Sequence, residues 1–600
     1  MVARSALLAL GALSLAACSA APPPVADSAP VPAPVKTAAP LPADPARRSD
    51  ALTLVLLEAL GPFDPEVMGQ IGVEGLDEQI TDAKPDRNAR FLAAMKQAVA
   101  TLESRAQAER DPGVLQDVAI AIGQANLQEK SVLLSERMEL PFTDGLKKVF
   151  VGLHALLDDQ VPAERRAHAL TRLRKYTGLE PGFTPFFELL RKRTEAKLAT
   201  PGLLPPTKAE VEDALGNAPT YLKGIHELFA RFKVEGATEG LARLEEQAKA
   251  YEVFVKGQVL PRARTDFRQP AELYALLLEH HGVDMSPAEL ATRAHQAFNE
   301  TRAEAQKLAI EVAREKKLAS PDLIKVLAAL KKEQITGEAV LGLYQKRIAE
   351  LERIVRDHDL VTLPARPMRF RLATAAETAS EPAPHIDLQG IFGKKTELTF
   401  VLPLALPPGK GPALKYDDFT WEAAAWPVAA HEGRPGHDLQ LSIVSEKGLS
   451  TARKLFAFNA ANVEGWGLYA ERLVEPYLPP DGRLALLQLR MVRQARAFLD
   501  PELQLGKTTL EAARKVLEEE VGVSPALAKS ELDRYTFQAP GQATAYFYGY
   551  TAMLELRAEA EKRMGPRFSA KAFHDFVLAQ GLLPPPLLKQ AVLEHLVAGK

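Results

Sequence analysis

From about Ala51 to the C-terminus, apolar residues recur with a period near 3.6, and no low-complexity linker interrupts them. A chain patterned this way must bury one stripe of each helix, and the economical way to do so is to pack helices on helices. Leu52, Leu54, Leu56, Leu57 and Leu60 open one such helix, and Ala288 to Ala313 reads as a long amphipathic one. Ser286-Pro287-Ala288-Glu289 and Ser320-Pro321-Asp322 each place a Ser N-cap before a Pro at the first helical position. No fixed-period repeat supports a solenoid. Met368 to Leu372 and Thr396 to Leu404 break the rule: both are β-like and flank a loop rich in Pro and Gly. The expected fold is mainly α, a large two-lobed helical body with a small β-sheet beside an active-site cleft. The lobes span residues 49–360 and 361–600.

The first 48 residues stand apart. Arg4, the apolar run Ala6 to Leu15 and Leu15-Ala16-Ala17-Cys18 resemble a bacterial lipoprotein signal, with residues 1–17 removed and Cys18 lipidated. Residues 18–48 then form a tether rich in Pro and Ala, too poor in large apolar groups to build a core. The implied location is the bacterial cell envelope, lipid-anchored, with Ser19 pointing to the outer membrane. Cys18 is the sole cysteine, so disulfides, Cys-ligated zinc and a Cys nucleophile are excluded from the body. With 74 basic and 77 acidic side chains there is no overall basic field, and no nucleic-acid partner is expected. The only membrane contact expected is through the anchor.

Chemistry concentrates in His431-Glu432-Gly433-Arg434-Pro435-Gly436-His437, which follows the apolar run Ala423 to Ala430. Zinc hydrolases of the HExxH type place two imidazoles one turn apart on a helix, with Glu aimed at the metal-bound water. Here the histidines are further apart. At about 100° per residue, His437 lies off the face of His431, so a shared site requires the helix to break. Pro435-Gly436 supplies residues that break helices. Glu464 and Glu471 lie two turns apart on the next helix, so one can ligate while the other supports.

This segment, the run Glu464-Gly465-Trp466-Gly467-Leu468-Tyr469-Ala470-Glu471, Arg534-Tyr535 with Pro540-Gly541-Gln542-Ala543 and Tyr546, and Phe573-His574 with Gly581-Leu582-Leu583-Pro584 resemble the DUF885 family. Its members look like helical zinc peptidases of the gluzincin type, related in architecture to the M32 carboxypeptidases and M3 oligopeptidases. The resemblance implies one Zn²⁺ per chain on His431, His437 and Glu464, with Glu432 as general base. Asp438 stands where many relatives have a second histidine and is expected to orient an imidazole, as is Glu471 from the outer shell. Relatives also tend to show Arg-x-x-Arg-x-x-x-Asp-x-Gly-x-His; here Arg493, Arg496 and Asp500 are kept, while Glu502 and Gln504 replace the last two.

Tyr546 and Tyr535 are candidate donors to the developing oxyanion, and Arg534 and Gln542 candidate substrate binders. His574 reads as structural. The expected activity is hydrolysis of small or unfolded peptides by metal-activated water. Two alternatives stand beside it: a catalytically inactive lipoprotein that binds peptides or a partner, and a metal-dependent amidohydrolase acting on a non-peptide amide.

Overall fold

A computed structural model describes residues 42–390, 397–405 and 414–598. Cys18, Ser19 and the expected tether up to residue 41 lie outside these residues. Among the described residues the first helix starts at Pro45, inside the range assigned to the tether, and the Asp44 carboxylate caps it by accepting from Arg47 N at 2.9 Å. Among the described residues, no helix is long and apolar enough to cross a membrane.

The long amphipathic helix runs Pro287–Glu315 under its Ser286 cap and buries Leu290, Ala294, Phe298, Ala305, Leu308 and Val312. That stripe lies along Pro480–Gln504, a helix buried over most of its length. The second expected cap is displaced. Asp322, not Ser320, caps Leu323–Leu330, its carboxylate accepting from Lys325 N at 3.1 Å while Ser320 Oγ accepts from Asp322 N. A carboxylate two residues later takes the cap in place of the hydroxyl.

The described residues carry one three-stranded sheet, β1 (Arg369–Leu372), β2 (His385–Gln389) and β3 (Glu397–Leu402), in the order β1-β3-β2. β3 pairs parallel with β1 and antiparallel with β2, with Phe370 and Ile386 both opposite Phe400. β2 carries no expectation from the sequence. β3 packs on the helix that begins at His437, which places the sheet beside the histidine motif.

Among the described residues, apolar side chains gather into one large cluster, drawn from residues 52–132 and 274–592, a smaller one drawn mainly from 146–259, and a minor one of Leu134, Leu273 and Leu276. Val355 and Val361, on either side of the expected boundary at residue 360, belong to the same large cluster. Within it, Ala460–Val474 crosses Thr544–Met564 at backbone contact: a Cβ on Gly549 would lie 1.8 Å from Ala461 O. Only glycine allows this approach, and it brings Glu464 and Tyr546 to one side of the core.

Candidate metal centre

The histidine motif is two helices joined by a turn. Ala425–Glu432, every residue of it buried, ends one residue after His431, and His437 opens the next helix, His437–Glu446. Both glycines between them are dictated by space. A Cβ on Gly433 would sit 2.1 Å from Ile348 Cδ1, and one on Gly436 would sit 1.9 Å from His431 O. Trp466 Nε1 donates to Pro435 O at 3.0 Å and closes the turn from above. Arg434, buried, donates to Asp438 Oδ2 at 2.8 Å and to Glu352 Oε1 at 2.6 Å. Asp438 Oδ1 accepts from Arg366 at 2.8 Å. Asp438 therefore holds two guanidinium groups and not an imidazole, contrary to expectation. One residue beyond His437 on a helix, its side chain is turned about 100° away from that ring.

The turn brings the two imidazoles together at 4.7 Å between centroids and 80° between planes. Glu464 Oε2 lies 3.3 Å from His431 Nε2 and 3.4 Å from His437 Nε2. Ligands about 2.0–2.2 Å from a tetrahedral zinc stand about 3.3–3.5 Å apart, so these spacings match two edges of such a site. Single donor atoms of His431, Glu432 and His437 also lie within 4.8 Å of one another. Glu432 Oε1 is 3.9 Å from His431 Nε2, beside the centre but further out.

The electrostatics fit a cation. Neither ring nitrogen of His437 makes a hydrogen bond among the described residues, and Glu432 Oε2 is likewise unsatisfied, although all three atoms are buried. Such atoms are costly without a partner. Burial pushes the His437 imidazole down to about 4 and the Glu432 carboxyl up to about 7. A neutral His437 keeps its lone pair for a metal. His431 Nδ1 lies 2.8 Å from Glu471 Oε1, which also takes Arg493 Nη2 at 3.3 Å. Burial opposes charge on His431, and the hydrogen bonds to Glu464 and Glu471 outweigh it and raise its pKa.

The expected tyrosines part company. The Tyr546 ring lies 6.3 Å from His431 and within 15° of parallel, and its buried hydroxyl has no partner among the described residues. Tyr535 instead donates to Glu531 Oε2 at 2.8 Å, so its hydroxyl is already engaged. Arg534 is buried, its Nη1 3.8 Å from Glu531 Oε1. Gln542 is buried with Oε1 unsatisfied. Gln504 is structural: it donates to Tyr535 O at 2.7 Å and accepts from Gln269 N at 2.8 Å.

Three residues of the family motifs carry no assigned role in the sequence reading and gain one here: Arg493 at Glu471, Trp466 on the turn, and Gly467. A Cβ on Gly467 would lie 2.5 Å from His431 Cε1, so this glycine is the bed on which the imidazole rests. Gly467→Ala is expected to displace His431 and weaken metal binding by roughly 10–100-fold, the range seen when support for a ligand is lost. Competition with a chelator checks this, and unchanged affinity would remove Gly467 from the centre.

His154, Asp158 and Glu377 also bring three donor atoms within 4.8 Å, but Arg371 fills that cluster. Its guanidinium lies 2.7 Å from Glu377 Oε1, 3.2 Å from Asp387 Oδ2 and 3.4 Å from Asp158 Oδ2. It supplies the positive charge a metal would bring, so the cluster is an ion-pair network. Burial disfavours a charged His154, yet Glu377, Asp158 and Asp387 outweigh burial and raise it to about 9 from 6.5. Its stabilising contribution is thus complete below the unfolded value and lost as pH rises through about 9. The Tm should fall between roughly pH 7 and 10, and less steeply in His154→Gln; equal slopes in a calorimetric series would contradict the network.

Fold and centre together define a class: a predominantly helical protein with a buried two-histidine, one-glutamate constellation at a helix–turn–helix. The chain belongs to the DUF885 family, whose description is bacterial protein of unknown function, and whose model matches residues 65–592. A structure from Colwellia psychrerythraea, described as a candidate lipoprotein, superposes with a TM-score of 0.74 at 18% identity, covering 93% of this chain and 100% of that one. A candidate lipoprotein of unknown function from Shewanella oneidensis gives 0.69 at 19% identity, covering 91% and 99%. An M32 carboxypeptidase from Deinococcus radiodurans R1 aligns at 14% identity over 92% of this chain and 95% of that one, with a TM-score of 0.35, too low to define a shared fold. No curated protein matches this chain.

Proposed function

We propose that the protein is a zinc-dependent peptidase acting on small or unfolded peptides. The observation that carries the reading is the pair of spacings, 3.3 and 3.4 Å, from Glu464 Oε2 to the two Nε2 atoms. Those three side chains would hold the ion. When bound, zinc supplies an acidified water and polarises a carbonyl oxygen.

The chain's own groups account for the rest. Glu432, beside the ligands with a carboxylate oxygen that has no partner among the described residues, is assigned the role of accepting a proton from water and returning it to a leaving amine. Tyr546, stacked on His431 with a buried hydroxyl that has no partner among the described residues, is assigned the role of donor to an oxygen that gains negative charge. Glu471 fixes the His431 ring through Nδ1. Gln542, buried with an unsatisfied Oε1, is assigned to peptide binding, whereas Arg534 stands beside Glu531. Cys18, together with relatives described as candidate lipoproteins, supports an envelope protein held to the membrane, the outer one by its Ser19, through a lipid anchor.

The test joins two measurements on the purified protein. Elemental analysis should find about one zinc per chain, and a mixed peptide library read by mass spectrometry should show zinc-dependent cleavage. A zinc-loaded protein that leaves the library intact would remove the peptidase reading.

A further inference from the structure

Tyr546 is held by an assembly that reaches well beyond the metal ligands. The Arg496 guanidinium carbon sits over its ring, 4.5 Å from the centroid. Arg496 cannot swing away: Nε donates to Glu531 Oε2 and Nη2 to Glu531 Oε1, both at 2.7 Å. Glu531 is fully buried and also accepts from the Tyr535 hydroxyl. Burial works against its charge, but Arg496 and Arg534 more than offset this and hold its carboxyl down at about 2. The anchor therefore stays ionised across the whole working pH range.

We propose that Arg496 is a positioning residue which, gripped by Glu531, fixes and polarises Tyr546 as the hydrogen-bond donor to an oxygen held at the His431–His437–Glu464 centre. The inference rests on reading that centre as a metal site. A cation over a phenol ring stabilises negative charge drawn onto the ring, so it strengthens the hydroxyl as a donor. A planar bidentate fork holds that cation in one orientation, which Lys cannot reproduce. Tyr535 and Arg534 take a supporting role here, as partners of Glu531 on the far side of the same anchor.

Acetohydroxamate, a small zinc ligand whose oxygens accept hydrogen bonds, reads this donor without any turnover. Its affinity for zinc-loaded full-length protein should fall about tenfold in Tyr546→Phe and about tenfold in Arg496→Met, with zinc content unchanged. The double variant should lose no more than either single one, because Arg496 acts through Tyr546. Arg496→Lys, which is less disruptive to folding, should also lose affinity and add nothing in the Tyr546→Phe background. Losses that multiply to about a hundredfold, or unchanged affinity in both Arg496 variants, would overturn the proposal. Wild-type protein that binds the hydroxamate through Tyr546 but cleaves no peptide would remove the peptidase reading and leave Arg496 in its role. Protein that takes up no zinc would remove both.

Discussion

Glu432→Gln is expected to leave zinc bound at about one ion per chain and to lower peptide hydrolysis by at least about a hundredfold, the usual minimum for loss of a general base. The substitution changes almost nothing else. Gln has the same shape, and Glu432 is not one of the three groups whose spacings match a zinc site; it stands further out, at 3.9 Å from His431 Nε2. Its Oε2 is buried without a partner among the described residues, so no hydrogen bond within the fold accounts for that oxygen. An amide in that place keeps one acceptor but cannot take up a proton. Zinc content and turnover measured on one preparation separate the two effects. Turnover retained in Glu432→Gln would dismiss this residue as the base, and zinc lost would make it a ligand.

Much of this centre was legible because its chemistry is local in sequence. His431 and His437 six positions apart cannot share a straight helix face, and the Pro435-Gly436 pair between them announces the break that the structure contains. Glu464 and Glu471 were readable as one face of one helix, and the structure sets them on opposite nitrogens of His431. What escaped is held by tertiary neighbours. β2 is five residues just after Pro382 and Pro384, and its strand character comes from pairing with β3 rather than from its own pattern. Asp438 reads from the sequence as an orienting group, but Arg434 and Arg366 surround it in the fold. Tyr535 and Tyr546 were indistinguishable as aromatic residues. Only Glu531, which lies one helical turn before Tyr535 and opposite Arg496, decides that one hydroxyl is engaged and the other is not. The spacing Glu531, Arg534, Tyr535 at i, i+3 and i+4 was visible in the sequence, but it also fits an ordinary exposed helix face.

His437→Ala and His574→Ala, taken together, test whether the centre binds metal or merely packs. Both imidazoles are fully buried, and burial pushes both down to about 4. They differ in what they touch. His574 Nδ1 donates to Leu360 O at 2.7 Å, and Nε2 accepts from the Tyr469 hydroxyl at 2.8 Å, so the ring is saturated within the fold. His437 has no such bonds among the described residues. Removing His574 should therefore destabilise the protein by roughly 2–4 kcal/mol, a cavity plus two unpaired groups, and leave zinc binding intact. Removing His437 should abolish zinc retention and peptide cleavage together, because two remaining donors make a weak site. The metal-dependent part of the stability should vanish with it: the wild-type Tm should rise with free zinc according to its affinity, whereas that of His437→Ala should stay flat. A zinc-dependent Tm in His437→Ala, or a flat one in His574→Ala, would reverse the assignment of the two rings.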